Sequence, residues 1–355
     1  MSCPTSAECG GCPLISYAPE QAREFHERRI RDAFRKQLGT PLTTSHIEWF
    51  SLGGSTGYRR RIRLCVSDGG RVGFFNQAKH PHCAALSPAL RELLAGFVGE
   101  AAEHGESLTW LHHLELREPD LDQRPAVYFV KRDPGRALPP SVQEELGNWL
   151  SRFSFAVAGE PTPVPAQRLG LPAVWHYVPI SSFLQVNEAV NQRLVTDLVL
   201  AAESRCLESF CDLYAGSGNF ALPLLAQGLT GCSVELDPAA AAAAQRSAQE
   251  QSLDNGEFVN ADAGEWADRA AAGGQAYDLV LLDPPRGGVR THLSAMASLS
   301  RRHLVYFSCN VQSLARDLGV LQGLGFAIQT IATYNMFQYT EHVETMVWLE
   351  RTPKQ

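Results

Sequence analysis

The chain has 355 residues, 45% hydrophobic and 19% charged, which suits one or two globular domains with substantial cores. No apolar run approaches the ~20 residues that cross a bilayer, and the opening MSCPTSAECGGCPL lacks the basic and apolar regions of a secretion signal, so a cytoplasmic protein is expected. The net charge of −7 excludes a strongly electrostatic, non-specific nucleic-acid binder. Residues 1–170, however, carry 20 Lys and Arg against 19 Asp and Glu, and the remainder 11 against 19. Local charge matters more than the total for an RNA footprint, so a specific one stays open.

Residues 1–13 form a cysteine-rich arm. Cys3, Cys9 and Cys12 make a C-x5-C-x2-C pattern, and Cys83, 71 residues after Cys12, could complete a four-thiolate site. Four thiolates suit zinc or an iron–sulfur cluster. The odd total of nine cysteines, with no export signal, reads as metal or catalytic chemistry rather than disulfides. Cys65, Cys206, Cys211 and Cys232 lie in or near apolar strands and read as core.

Over 18–38, Phe25, Ile30, Phe34 and Leu38 recur at helical spacing on a charged background, which predicts an amphipathic helix. Residues 45–160 read as a mixed region. RRRIRLCV and RVGFF are strands around an Asp-Gly-Gly turn, PAVYFVKR is another, and 88–103 and 140–152 are helices. The basic run Arg59, Arg60, Arg61 and Arg63, with Lys79, supplies candidate phosphate contacts, or else a solvated strand face. The proline-rich stretch 161–172 reads as a linker.

Beyond residue 174 short apolar runs alternate with helical segments: SFCDLY, GCSVEL, GEFVN, YDLVLL, HLVYFS, FAIQTIA and VETMVWL. That rhythm predicts a doubly wound α/β domain closed by an antiparallel hairpin, 326–332 and 343–350. The expected domains are 1–40 (cysteine arm and helix), 41–172 (central cluster and RNA-binding region) and 173–355 (α/β domain).

In CDLYAGSGNF a buried strand runs into a glycine loop and then a helix, although Gly216 and Gly218 alone are a weak signal. Glu235 ends the next strand, where a carboxylate can accept from both ribose hydroxyls of an adenosine. Asp262 follows a third strand, where it can meet the adenine edge, and Asp283 ends a fourth in DPPR. The arrangement resembles S-adenosylmethionine-dependent methyltransferases more than nicotinamide enzymes. Cys309 ends the fifth strand just before a helix, whose amides can lower a thiol pKa. In such a sheet the seventh strand lies antiparallel between the fifth and sixth, which brings His342 and Glu344 to the same edge. A carboxylate beside a thiol is a nucleophile-and-base pair. Amino-methylating enzymes tend to place a stacking aromatic after Asp/Asn-Pro-Pro; Arg286 stands there instead, which favours methylation at carbon.

FLQVN (183–187), DLYAGSGNF (212–220), VELDP (234–238), LLDPPRGG (281–288), SCNVQSLARDL (308–318) and HVET (342–345) together cover the chain's second half densely, and nearly the whole chain resembles the bacterial RNA (uracil-5-)methyltransferases. The resemblance implies a seven-stranded Rossmann-like S-adenosylmethionine domain preceded by a mixed α+β central domain. It implies cofactor contacts from Gln185, Tyr214, Gly216, Asn219, Glu235, Asp262 and Asp283, with Cys309 as nucleophile and Glu344 as base. Cys3, Cys9, Cys12 and Cys83 are similar to the family's [4Fe–4S] ligands. Ala215, Ser217, Val311, Gln338 and Tyr339 depart from the family's pattern, the last two in the loop before HVET. With the sequence starting at the cysteine arm, the N-terminal RNA-binding barrel of many rRNA-modifying relatives is not expected. Cluster present and barrel absent points to a monomeric 23S rRNA enzyme acting on a flipped-out loop uridine. A tRNA or dual-specificity enzyme is the alternative.

Overall fold

A computed structural model describes residues 11–39, 47–51, 56–74, 83–160 and 164–352. The chain divides into two compact units: a smaller one from the described residues of 1–15, 53–170 and 177–188, and a larger one from those of 16–52, 171–176 and 189–355. The division is not sequential, because the first helix and first strand count with the larger unit.

Helix α1, Pro19–Leu38, has Pro at its first turn, and the Gln21 side chain accepts from the Ala18 amide at 2.9 Å. It stops at Gly39, which is left-handed at φ +67°. Its buried stripe includes Ile30 and Phe34, as the spacing predicts, together with His26 and Ala33. Strand β1 is Ile47–Phe50.

The smaller unit is built on a five-stranded sheet of order β3-β2-β4-β5-β6. The strands are β2 Arg61–Val66, β3 Val72–Gly73, β4 Leu111–Arg117, β5 Ala126–Lys131 and β6 Ser154–Val157. Helices α2, Pro88–Ala101, and α3, Pro140–Trp149, are close to the predicted spans. Ser87 caps α2 by accepting from the Leu90 amide. Alternation sends Ile62, Leu64, Val66, Leu114, Leu116, Val127 and Phe129 to one face, where they form a core with Leu90, Leu94, Phe97, Val142 and Leu146.

The predicted linker is instead half of a hairpin: β7, Ala166–Leu171, pairs with β8, Val174–Pro179. The closely spaced prolines end at Pro165, and the next, Pro172, lies in the hairpin turn; between them Gln167, Leu169 and Leu171 alternate into buried positions. Proline density concealed a strand that begins where it stops.

The larger unit continues as α4 Glu188–Ser204, β9 Ser209–Leu213, α5 Ala221–Ala226, β10 Thr230–Glu235, α6 Pro238–Glu250, β11 Gly256–Asn260, α7 Ala263–Ala272 and β12 Tyr277–Leu282. It ends with α8 Leu293–Ser298, β13 Ser300–Ser308, α9 Val311–Gly323, β14 Phe326–Tyr334 and β15 Glu344–Arg351. Its sheet has the order β1-β14-β15-β13-β12-β9-β10-β11. Strand β15 is antiparallel to both neighbours, as the sequence predicts for the seventh strand, and the other pairings are parallel. The expected count of seven needs correction to eight, because β1 adds to the β14 edge, with Ile47 opposite Ile331. The central strands are near-continuous apolar runs, as a sheet covered on both faces requires. No described helix is long and apolar enough to cross a membrane.

Candidate active site

In the larger unit the predicted residues gather at the carboxyl ends of the parallel strands, where open α/β sheets bind ligands. After β9 the chain turns sharply: Tyr214 takes φ +66°, Gly216 +55° and Gly218 +84°. The Gly216 amide donates to Glu235 Oε2 and the Asp237 amide to Oε1, both at 2.8 Å. Glu235 thus ties the glycine loop to the start of α6, where Asp237 caps the helix by accepting from the Ala239 amide. Each carboxylate oxygen keeps a further lone pair for a ligand hydroxyl.

Asp262 caps α7 through Oδ1, accepting from the Gly264 and Glu265 amides, while the rest of the residue is exposed. Burial pushes the Tyr214 phenol up to about 12, with Asp262 and Asp317 adding to it. The Asn219 carboxamide exchanges two hydrogen bonds with Asn191 on α4, at 2.8 and 3.1 Å. Its visible task is therefore to hold the glycine loop.

Asp212, in β9, is wholly buried, and burial, then Asp283 and Glu235, push its carboxyl well above the usual range; the Ala221 amide works the other way. Asp283 is pushed up to about 7 by burial and by Glu235. Three carboxylates thus crowd one strand edge, an electrostatic setting that favours a cationic ligand. Sequence reasoning missed Asp212, whose signal was an acid inside an otherwise apolar strand.

The sheet register brings Cys309 to Glu344. Ser308 of β13 pairs with Thr345 of β15, and continuing that register by one sets Cys309 opposite Glu344. Glu344 is buried; burial and Asp283 push its carboxyl well up, and Arg286 opposes them. The half-buried Cys309 thiol is raised by burial and by Glu344 and Asp283, and lowered by the charge of Arg286 and a hydrogen bond from it. The expectation that a helix start lowers this thiol is corrected: burial beside a carboxylate outweighs it. Arg286 is the second residue that sequence reasoning missed in function, since it counted only as an absent aromatic. His342 is exposed near Arg286 and Arg29, with its ring edge to Phe337.

Gln185 belongs to the smaller unit and is described there. Its Oε1 is buried without a hydrogen-bond partner among the described residues. Beside it Phe183 is 65% exposed, with the Arg61 guanidinium 5.1 Å from its ring centre. Two of the candidate phosphate contacts are engaged within the unit: Arg60 pairs with Glu118 and Glu188, and Arg61 with Glu115 while donating to the Leu184 carbonyl. Arg63 is exposed, and Lys79 lies outside the described residues.

Cys3 and Cys9 also lie outside the described residues. Burial pushes the Tyr58 phenol up to about 12; Arg59 opposes, and both Cys12 and Cys83 add to the rise. Among the described residues no three metal-ligating side chains stand together. Cys211 and Cys232 are buried as expected, whereas Cys206 is exposed at the turn after α4.

A profile of the tRNA (Uracil-5-)-methyltransferase family matches residues 173–352. The chain is 30% identical over 365 residues to the 23S rRNA (uracil(1939)-C(5))-methyltransferase RlmD of Edwardsiella ictaluri, covering 98% of this chain and 81% of that protein. The RlmD of Klebsiella pneumoniae subsp. pneumoniae is likewise 30% identical, with the same two coverages. In fold, the chain is similar to a Pyrococcus abyssi tRNA (uracil-54, C5)-methyltransferase solved with S-adenosyl-L-homocysteine, at TM-score 0.70 and 24% identity over 98% of this chain and 87% of that one. With a glycine loop, acidic strand ends and a cysteine at one sheet edge, and a family match over half its length, this chain belongs to the RNA (uracil-5-)methyltransferases and is an S-adenosylmethionine-dependent enzyme.

Proposed function

We propose that the enzyme methylates carbon 5 of one uridine in 23S rRNA through a covalent bond from Cys309 to carbon 6 of the base. The observation that carries this reading is the convergence of Cys309, Glu344, Arg286 and Asp283 at one strand edge. S-adenosylmethionine supplies an electrophilic methyl group on a cationic sulfur, and the Asp212, Glu235 and Asp283 carboxylates suit that charge. Glu235 would receive the ribose hydroxyls, with Tyr214, Gly216, Asn219 and Asp262 completing the binding face.

Carbon 5 of uracil is a poor nucleophile. The Cys309 thiolate adds to carbon 6, and the carbon 5–carbon 6 π electrons become enolate density that takes the methyl group at carbon 5. Glu344 then removes the proton from carbon 5, the double bond re-forms, and the thiolate leaves. Arg286 favours the thiolate at the first step and the carboxylate at the second, since it lowers both groups' proton affinity.

The choice of 23S rRNA rests on the whole-length similarity to the RlmD proteins and on the cysteine pattern. A 23S rRNA fragment carrying 5-fluorouridine is expected to trap a methylated adduct on Cys309, read by mass spectrometry, because carbon 5 then has no proton to lose. Adduct formation with tRNA alone would move the target to tRNA; methylation of normal RNA without any adduct would sink the covalent mechanism.

Cys3, Cys9, Cys12 and Cys83 would hold a [4Fe–4S] cluster, which would tie the N-terminal arm to the central region. The C-x5-C-x2-C spacing together with Cys83 supplies four thiolates, the donor set that such a cluster takes. Anaerobically purified protein is expected to absorb broadly near the visible charge-transfer region and to lose iron, RNA affinity and thermal stability together in Cys83→Ala. A colourless, iron-free wild type that binds RNA normally would refute the assignment.

A further inference from the structure

Helix α9 begins two residues after Cys309, and its first two turns do more than continue the fold. Asn310 caps it, accepting from the Gln312 amide at 3.1 Å. From the same segment Asn310 Nδ2 and Ser313 Oγ both donate to the Arg286 carbonyl, each at 3.0 Å. Arg316 Nη2 donates to the Gly287 carbonyl at 2.9 Å. The Val289 amide donates to Asp317 Oδ2 at 2.7 Å, and the Tyr306 hydroxyl donates to that same oxygen. Arg316 Nε closes the set on Asp317 Oδ1 at 2.8 Å. Positions 310, 313, 316 and 317 fall on one helical face, so a single face grips the backbone of residues 286–289.

The loop is shaped for that grip. Gly288 is left-handed at φ +70°, and a Cβ there would lie 2.4 Å from Asp317 Oδ2 and 2.6 Å from Arg316 Nη2. Asp317 is 1% exposed, so its oxygens are held at fixed points inside the unit. Three peptide groups of an irregular loop, which lack sheet or helix partners, are thereby satisfied by side chains.

We infer that Asn310, Ser313, Arg316 and Asp317 are positioning residues for methyl transfer, holding the loop backbone so that the Arg286 guanidinium rests on the Cys309 sulfur. The inference depends on the reading of Cys309 as nucleophile and Arg286 as its partner. It makes the nucleophile and its activator parts of one rigid piece: the residue after the cysteine anchors the arginine's own carbonyl. The charged groups that face Cys309 are Arg286 and Asp283 from the loop and Glu344 from β15. Of these, Arg286 alone favours the thiolate, opposing burial and the two carboxyls, so its placement bears directly on the thiol's reactivity.

The test is the rate of Cys309 alkylation by iodoacetamide across pH in the full-length enzyme without RNA, read on the Cys309 peptide by mass spectrometry. Cofactor affinity and thermal melting are measured alongside. Arg286→Ala is expected to slow alkylation about tenfold at neutral pH, because the guanidinium that favours the thiolate is gone. Asp317→Asn is expected to move the profile the same way with cofactor affinity intact, and Ser313→Ala to move it less. If Arg286→Ala alkylates like the wild type, the pairing of arginine and thiol is wrong. If Arg286→Ala shifts while Asp317→Asn and Ser313→Ala keep the wild-type profile, the clamp inference falls and the pairing stands. A variant that loses turnover with an unmoved profile likewise overturns it. Should Asp317→Asn fail to fold, Ser313→Ala combined with the more exposed Arg316→Ala decides the matter by the same readout.

Discussion

Replacing Cys309 with serine is expected to abolish methyl transfer, with a fall of at least about 10⁴-fold, the scale seen when a covalent nucleophile is removed. A serine hydroxyl at this place has no thiolate-like form near neutral pH. Glu344, the nearest base, already holds its own proton more tightly than an ordinary glutamate. Carbon 5 of the uracil would therefore stay unactivated however well the cofactor is bound. S-adenosylmethionine affinity should be unchanged, because the carboxylates that suit the cofactor end other strands: Asp212 in β9, Glu235 in β10 and Asp283 after β12. Filter assays of tritiated methyl transfer, with calorimetry for the cofactor, check both halves. Retained activity would mean that the Asp-Pro-Pro-Arg edge methylates an amino group, which needs no thiol.

Glu344→Gln has a different signature. Addition of Cys309 and methylation at carbon 5 need no proton acceptor at residue 344, but the elimination does. Turnover is expected to drop about 10²- to 10⁴-fold, while a methylated protein–RNA adduct accumulates and survives a denaturing gel. The pH dependence should change as well. In the wild type the raised Glu344 carboxyl must lose its proton to act, so the rate rises with pH as that group ionises. The variant loses this limb and keeps only the rise from the thiol, whose own proton affinity is raised. A variant that turns over slowly with no adduct would show that residue 344 acts before or during addition instead.

Much of this site was legible because its residues sit at strand ends and helix caps, where local rules are strict. The Asp-Pro after Glu235 is a cap followed by a first-turn proline, and the Asn after Cys309 is another cap. The antiparallel return that lays Glu344 beside Cys309 followed from the resemblance to methyltransferase sheets, in which the seventh strand lies between the fifth and sixth. What stayed hidden depended on pairing across distance. Nothing local in Arg60 and Arg61 shows that Glu118, Glu188 and Glu115 engage them. Arg286 looked like an empty place in a motif until the thiol lay beside it. Strand β1 is four residues, too short for its period to declare itself. Strand β7 hid behind prolines.

The placement of β1 also governs how the enzyme is made. Ile47 leaves the ribosome early, yet its partner Ile331 emerges only when synthesis is almost over. Until then the outer strand of the catalytic sheet has nothing to pair with, and the strands on either side of β15 cannot join. Such long-range closure is slow. It also means that a version of the protein begun after residue 52 would present β14 as a bare ladder of amides and carbonyls, the kind of edge on which other chains aggregate. The catalytic half is therefore a poor choice for expression by itself. The edge of its sheet is covered by a tetrapeptide synthesised before most of the smaller unit.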